Sequence, residues 1–213
     1  MRRPFLFVLT ALAVAASPLT AQGRACAARG AKLPATGSWA EYNTSEGTMR
    51  MAYLAKETAG ERIELSMTGR RGAMVMQMVV PNYPYEMTDI QEMVMQQEGQ
   101  PPMKMSAQML GMMRSRMPNG SQVSEASCGR MIEVAKERIT VPAGTFQTTH
   151  YRDSTGGTDV WVTASIPFGM VKVVTGDRTV ELLGSGTGAT TKITGTPQEM
   201  PGMGGPPPGR RPR

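Results

Sequence analysis

One histidine and two cysteines are all this chain offers of the side chains most used for metal binding and nucleophilic chemistry. His150, in Thr148-Thr149-His150-Tyr151-Arg152, has no G-x-S-x-G elbow or other nucleophile setting to serve. Asp89, Glu92 and Glu98 lack metal-ligand spacing. Gly184-Ser185-Gly186-Thr187-Gly188 lacks the Lys-Ser/Thr and the helix of a phosphate loop, so a β-bulge or hairpin is the better account. No enzymatic activity, cofactor or metal is expected. Aromatics are scarce at 5% of residues. Trp39 and Trp161, the two tryptophans, are expected to anchor the core.

Long apolar runs are missing as well. The longest, Phe5 to about Ala16, is too short for the roughly 20 residues that span a bilayer. Behind Met1-Arg2-Arg3-Pro4 and before Ser17-Pro18-Leu19-Thr20-Ala21, it reads as a secretory signal over residues 1–21, cut before Gln22. A periplasmic or secreted protein without a transmembrane segment after cleavage is the expectation. Residues 22–33 form a mature N-terminal segment, 34–194 a folded domain, and 195–213 a Pro/Gly/Arg tail whose composition cannot bury a core.

The formal charge of +6 comes largely from the two ends. Setting aside Arg2, Arg3, Arg210, Arg211, Arg213 and Glu199 reduces 23 basic and 17 acidic residues to 18 and 16, a balance of +2. No basic stripe interleaved with aromatics remains, which argues against nucleic acid. The sequence names no protein partner.

What the chain has in abundance is methionine. Twelve of its twenty lie between Met74 and Met117. The thioether is flexible, polarizable and a soft ligand, so such a cluster suits an adaptable apolar lining or a Cu(I) site.

The dominant period within residues 34–194 is two. Ile63, Leu65 and Met67 alternate with Glu64, Ser66 and Thr68, and Met49, Met51 and Tyr53 behave alike. Asp159–Thr163 and Arg178–Leu183 are short β-branched runs. Lys56–Gly60, Pro142-Ala143-Gly144, Ser154–Gly157 and Thr175-Gly176-Asp177 supply turns at hairpin spacing. The pattern predicts an antiparallel meander. One helix stands out: Ser106 is its N-cap, Met109, Leu110, Met112, Met113 and Met117 follow at helical spacing, and Pro118-Asn119-Gly120 ends it.

The segments Glu137–Phe146 with its VPAGTF turn, Asp159–Thr163 and Ile166–Lys172 occur in that order. Over about 60 residues, Ile132 to Ile193, the chain thereby resembles exported bacterial domains of unknown function with the LolA/LolB-like periplasmic lipoprotein-carrier architecture. The resemblance implies a mainly β, α+β fold. A strongly curved antiparallel half-barrel would enclose one or two short helices, with an apolar concavity able to hold acyl chains.

Met74, Met76 and Met78 share one face of a strand, and Met93 and Met95 another. With Met109 and Met113 of the helix they are the expected ligand-binding residues. The expected function is non-enzymatic binding of a lipid or other hydrophobic molecule. The alternatives are a periplasmic Cu(I)-binding protein using the same thioethers, or a structural domain with no ligand.

Cys26 and Cys128 are expected to pair in an oxidising compartment, closing a loop of roughly 100 residues and stabilising the fold by about 4–5 kcal/mol. Thiol titration of the non-reduced mature protein should find no free thiol; two would contradict the bridge.

Overall fold

The computed structural model describes residues 32–70, 72–116 and 125–200. The expected signal, Cys26, Met117 with the Pro118–Gly120 stop, and residues 201–213 lie outside these.

The strands are β1 (Trp39–Thr44), β2 (Gly47–Glu57), β3 (Gly60–Gly69), β4 (Gly72–Val80), β5 (Glu92–Gln97) and β6 (Met103–Lys104), then β7 (Met131–Val141), β8 (Gly144–Asp153), β9 (Thr158–Val162), β10 (Met170–Thr175), β11 (Arg178–Gly186) and β12 (Gln198–Glu199). A 3₁₀ turn covers Met87–Asp89, and two helices, α1 (Ala107–Arg116) and α2 (Glu125–Arg130), stand between β6 and β7. Among the described residues the strands form one open sheet in the order β12-β6-β5-β4-β3-β2-β1-β11-β10-β9-β8-β7.

The order follows from local pairing. Each strand from β1 to β6 adds beside its predecessor, and β7 to β11 do the same from the far edge inward. The turns make this obligatory at places. A Cβ on Gly47 (φ +144°) would lie 1.9 Å from the Thr68 carbonyl oxygen, so β2 can start beside β3 only from glycine. The two meanders meet where β1 pairs antiparallel with β11. The sheet is mainly β, mixed and curved: the Ala143 N–H of the β7–β8 turn donates to the Leu182 carbonyl of β11 at 3.0 Å, although three strands separate β7 from β11 in the sheet.

Alternation divides the two faces. On the inner face, register places Ala40, Met51, Leu65, Met76, Met95 and Met103 in one cross-strand row. Tyr42, Met49, Met67 and Met74 form the next. Directly paired residues share a face, so these side chains pack laterally. The buried core comprises Tyr42, Ile63, Met78, Ile90, Met93, Val171 and Leu182 among others. Helix α1 lies against β5 and the 3₁₀ turn. Ser106 caps it as expected, its Oγ accepting from the Met109 N–H at 3.3 Å.

Four features depart from the sequence reading. Helix α2 fits the one or two short helices that the resemblance implies, but its place was not read from the local pattern, since Glu125–Arg130 is short and carries no apolar periodicity. Both tryptophans sit half-buried on the outer face rather than in the core. Trp39 alternates with the buried Ala40 and Tyr42, and rests on Gly186, where a Cβ would come within 3.1 Å of the indole. The Arg50 guanidinium lies over the Trp39 ring, 4.8 Å from its centroid. Trp161 shares the outer side with His150.

The fourth departure concerns the C-terminal segment, expected to leave the fold at residue 195. Residues 195–200 instead continue a strap over the outer face that begins within the expected domain, at Thr191. Thr191 Oγ1 and the Lys192 N–H donate to Glu64 of β3, at 2.8 Å and 3.1 Å. The Thr194 N–H donates to Gln96 of β5 at 2.8 Å. Gln198–Glu199 then pair in parallel with β6, whose free edge supplies acceptors: Pro102 O takes the Gln198 N–H and Lys104 O the Met200 N–H.

Glu64, 1% exposed, also accepts from Gln77 Nε2 at 2.9 Å, so several donors depend on one buried carboxylate. Glu64→Ala should lower the unfolding free energy in urea by about 3 kcal/mol, because those donors lose their acceptor away from water. A loss below about 1 kcal/mol would show that the strap contributes little.

Candidate functional site

The inner face encloses a cavity of about 780 Å³. Its wall takes Met49, Met51, Ile63, Leu65, Met76 and Met78 from β2, β3 and β4. The second meander contributes Tyr151, Val160, Val162, Met170, Val173 and Val180, with Cys128 and Met131 at the α2–β7 junction. Cys128 is disulfide-bonded, its partner lying outside the described residues.

The two ends differ. One is closed by aromatics, where Tyr83 packs on Tyr85 at 6.2 Å and edge-on against Phe168 at 6.0 Å between ring centroids. At the other, the exposed turns β1–β2 and β10–β11 bring Ser45, Glu46, Thr175, Arg178 and Thr179 to the rim. Among the described residues Glu46 and Arg178 are the charged ones of the lining, so their charge stands at the mouth.

Tyrosine hydroxyls supply polarity inside. Tyr42 is 0% exposed, and its Oη has no hydrogen-bond partner among the described residues. Burial raises the Tyr42 phenol far above its ordinary range, with a smaller contribution from Tyr83, which is raised likewise. Burial pushes Tyr85 up to about 12. Ionisation would strand an anion in a medium of low polarizability, so these groups stay neutral. The Tyr85 hydroxyl lies 4.0 Å from Met78 Sδ, a weak acceptor.

Of the seven methionines expected to bind ligand, Met76 and Met78 line the cavity. Met93, Met95, Met109 and Met113 belong to the core without lining it. The reason is α1, which lies on β5 and packs its own thioethers over that part of the inner face. Met74, 37% exposed, lies near the outward end of β4. Sequence reasoning missed Met49, Met51, Met131 and Met170 as lining, and all four tyrosines. The alternation of Met49 and Met51 was visible; their position opposite β10 and β11 depends on long-range pairing that no local pattern carries.

Among the described residues no group of three His, Cys, Asp or Glu side chains is placed to hold a metal, so a copper site would depend on thioethers alone. No helix among them is long and apolar enough to cross a membrane.

His150 is remote from the cavity wall, on the outer face. Its ring stacks on Trp161 at 4.3 Å and 13°. Nε2 lies 2.7 Å from Asp159 Oδ1 and Nδ1 3.3 Å from Glu137 Oε1, which also accepts from Trp161 Nε1 at 2.6 Å. The cluster ties β7, β8 and β9 together. Burial alone would raise the Asp159 carboxyl, but hydrogen bonds and charge from His150 and Arg152 outweigh it and hold it below the ordinary range. Glu92 is likewise lowered, first by Lys104 and then by Arg62, against burial.

No protein-family model matches this chain, and no curated protein does. Among solved structures it overlaps a crystal structure of a candidate lipoprotein from Parabacteroides distasonis ATCC 8503, at 10% identity and a TM-score of 0.32, covering 73% of this chain and 97% of that one. Overlap this slight carries no argument.

Asp159 and Glu92 give a signed pH dependence. Their folded pKa values lie below the unfolded ones, so the stability they contribute is complete above about pH 4.3 and is lost as pH falls through the folded values. Urea midpoints should therefore drop as pH falls below about 4. Asp159→Asn with Glu92→Gln should flatten that limb while lowering the neutral-pH midpoint.

Proposed function

We propose that this domain is an exported, non-enzymatic binding protein that holds a lipid or other hydrophobic molecule in its inner cavity. The observation that carries the proposal is the lining itself: methionines and valines from both meanders face one space of about 780 Å³. That volume lies within the range of roughly 300–1,000 Å³ typical of ligand sites. Thioether walls adapt to guests of different shape at little cost in strain, which suits a flexible chain better than a rigid substrate. The segment resemblance to LolA/LolB-like carriers supports the same reading, and the N-terminal signal pattern supports export.

The test uses N-phenyl-1-naphthylamine, a neutral apolar fluorophore, titrated into the mature protein without detergent. One saturable site per chain is expected. Met76→Trp places an indole in the cavity and should weaken the probe by at least about tenfold while leaving the chain folded. No saturable binding, or binding that Met76→Trp leaves unchanged, would contradict the proposal.

A further inference from the structure

Tyr42 poses a chemical question that the rest of the wall does not answer. It stands on β1 at the seam between the two meanders, paired with Met49 on one side and Leu182 on the other. Its side chain is wholly buried and lines the cavity, yet among the described residues its hydroxyl meets no partner. Buried hydroxyls are nearly always hydrogen-bonded, because desolvation without a partner is unfavourable. Neither cross-strand neighbour offers an acceptor stronger than a thioether. The phenol is held neutral by burial, so what it can present to a guest is an O–H donor.

The placement of charge sharpens the point. Glu46 and Arg178 stand at the mouth, while the closed end around Tyr83 and Phe168 is aromatic and uncharged. An ionic group could not enter that deep region without losing its hydration. A neutral oxygen could, provided a donor met it there.

Building on the proposed binding function, we infer that the cavity selects an apolar molecule bearing an uncharged acceptor oxygen, of the ketone or ester carbonyl kind, which receives the Tyr42 hydroxyl. Any charged end of the molecule stays at the Glu46–Arg178 rim. The methionine rows accept the hydrocarbon without regard to its shape, and Tyr42 fixes where along it the oxygen lies. The cavity is thus selective for one polar atom and permissive for the rest.

A matched pair of ligands tests this: fluorene and 9-fluorenone share one rigid tricyclic skeleton, without and with a carbonyl. Tyr42→Phe removes only the hydroxyl. The variant should fold with a urea midpoint no lower than that of the parent, since the group removed is unpaired. It should bind 9-fluorenone about three- to tenfold more weakly than the parent does, the worth of one hydrogen bond, and fluorene within about twofold. Parallel losses for both ligands, or no loss for either, would overturn the inference, the latter pointing to a water as the partner of Tyr42. Binding of N-phenyl-1-naphthylamine without binding of 9-fluorenone would overturn this inference alone. Failure of all three ligands would overturn the binding function with it.

Discussion

The antiparallel ladder between β1 and β11 is the pairing on which the rest of the molecule depends. Each meander builds itself from neighbours in sequence, but neither alone has an inside. Joined along Trp39↔Gly186 through Asn43↔Glu181, they become one curved surface with a common inner face. The ladder carries an irregularity between Glu41 and Tyr42, where the register skips Leu183. Leu182, just beside it, uses its carbonyl to accept from the β7–β8 turn. A bulge of this kind bends a strand and increases its twist. Here it coincides with the place where the sheet curls back on itself.

The two faces differ in how their side chains are held. Outside, side chains are fixed by direction-dependent contacts: Glu64 with the strap, Arg62 with Glu57 and Glu92, His150 between two carboxylates. Such pairs, partly exposed, contribute modestly one by one. Glu64 is the exception, because it is buried. Inside, contacts are dispersive and non-directional, and a methionine wall can repack without breaking a hydrogen bond. A rigid outer scaffold around a soft lining is compatible with the proposed binding of varied apolar guests.

The strands were legible in the sequence because their information is local. Ile63–Thr68 alternates strictly, Pro142-Ala143-Gly144 dictates a hairpin, and Ser106 marks its helix start. The face each strand turned inward could be read for Met76 and Met78. It misled for Trp39, where large size suggested burial. Two glycines of β11, 184 and 186, give the indole a flat seat on the outside instead. Met93 and Met95 point to the inner face as alternation requires, and α1 covers them. Which part of an inner face a helix covers is set by where the chain crosses between sheet edges. No periodicity encodes that crossing. The strap was invisible for a related reason: Thr191 and Thr194 gain meaning only beside Glu64 and Gln96, about a hundred residues away in sequence.

In the proposed function, apolar guests occupy the space enclosed by both meanders. Methionine methyl resonances of the mature protein, recorded with and without a saturating apolar ligand, test it most directly. Shifts confined to Met49, Met51, Met76, Met78, Met131 and Met170, with Met93 and Met109 unmoved, are the predicted result. Shifts at the exposed Met74 alone, or none at all, would contradict it.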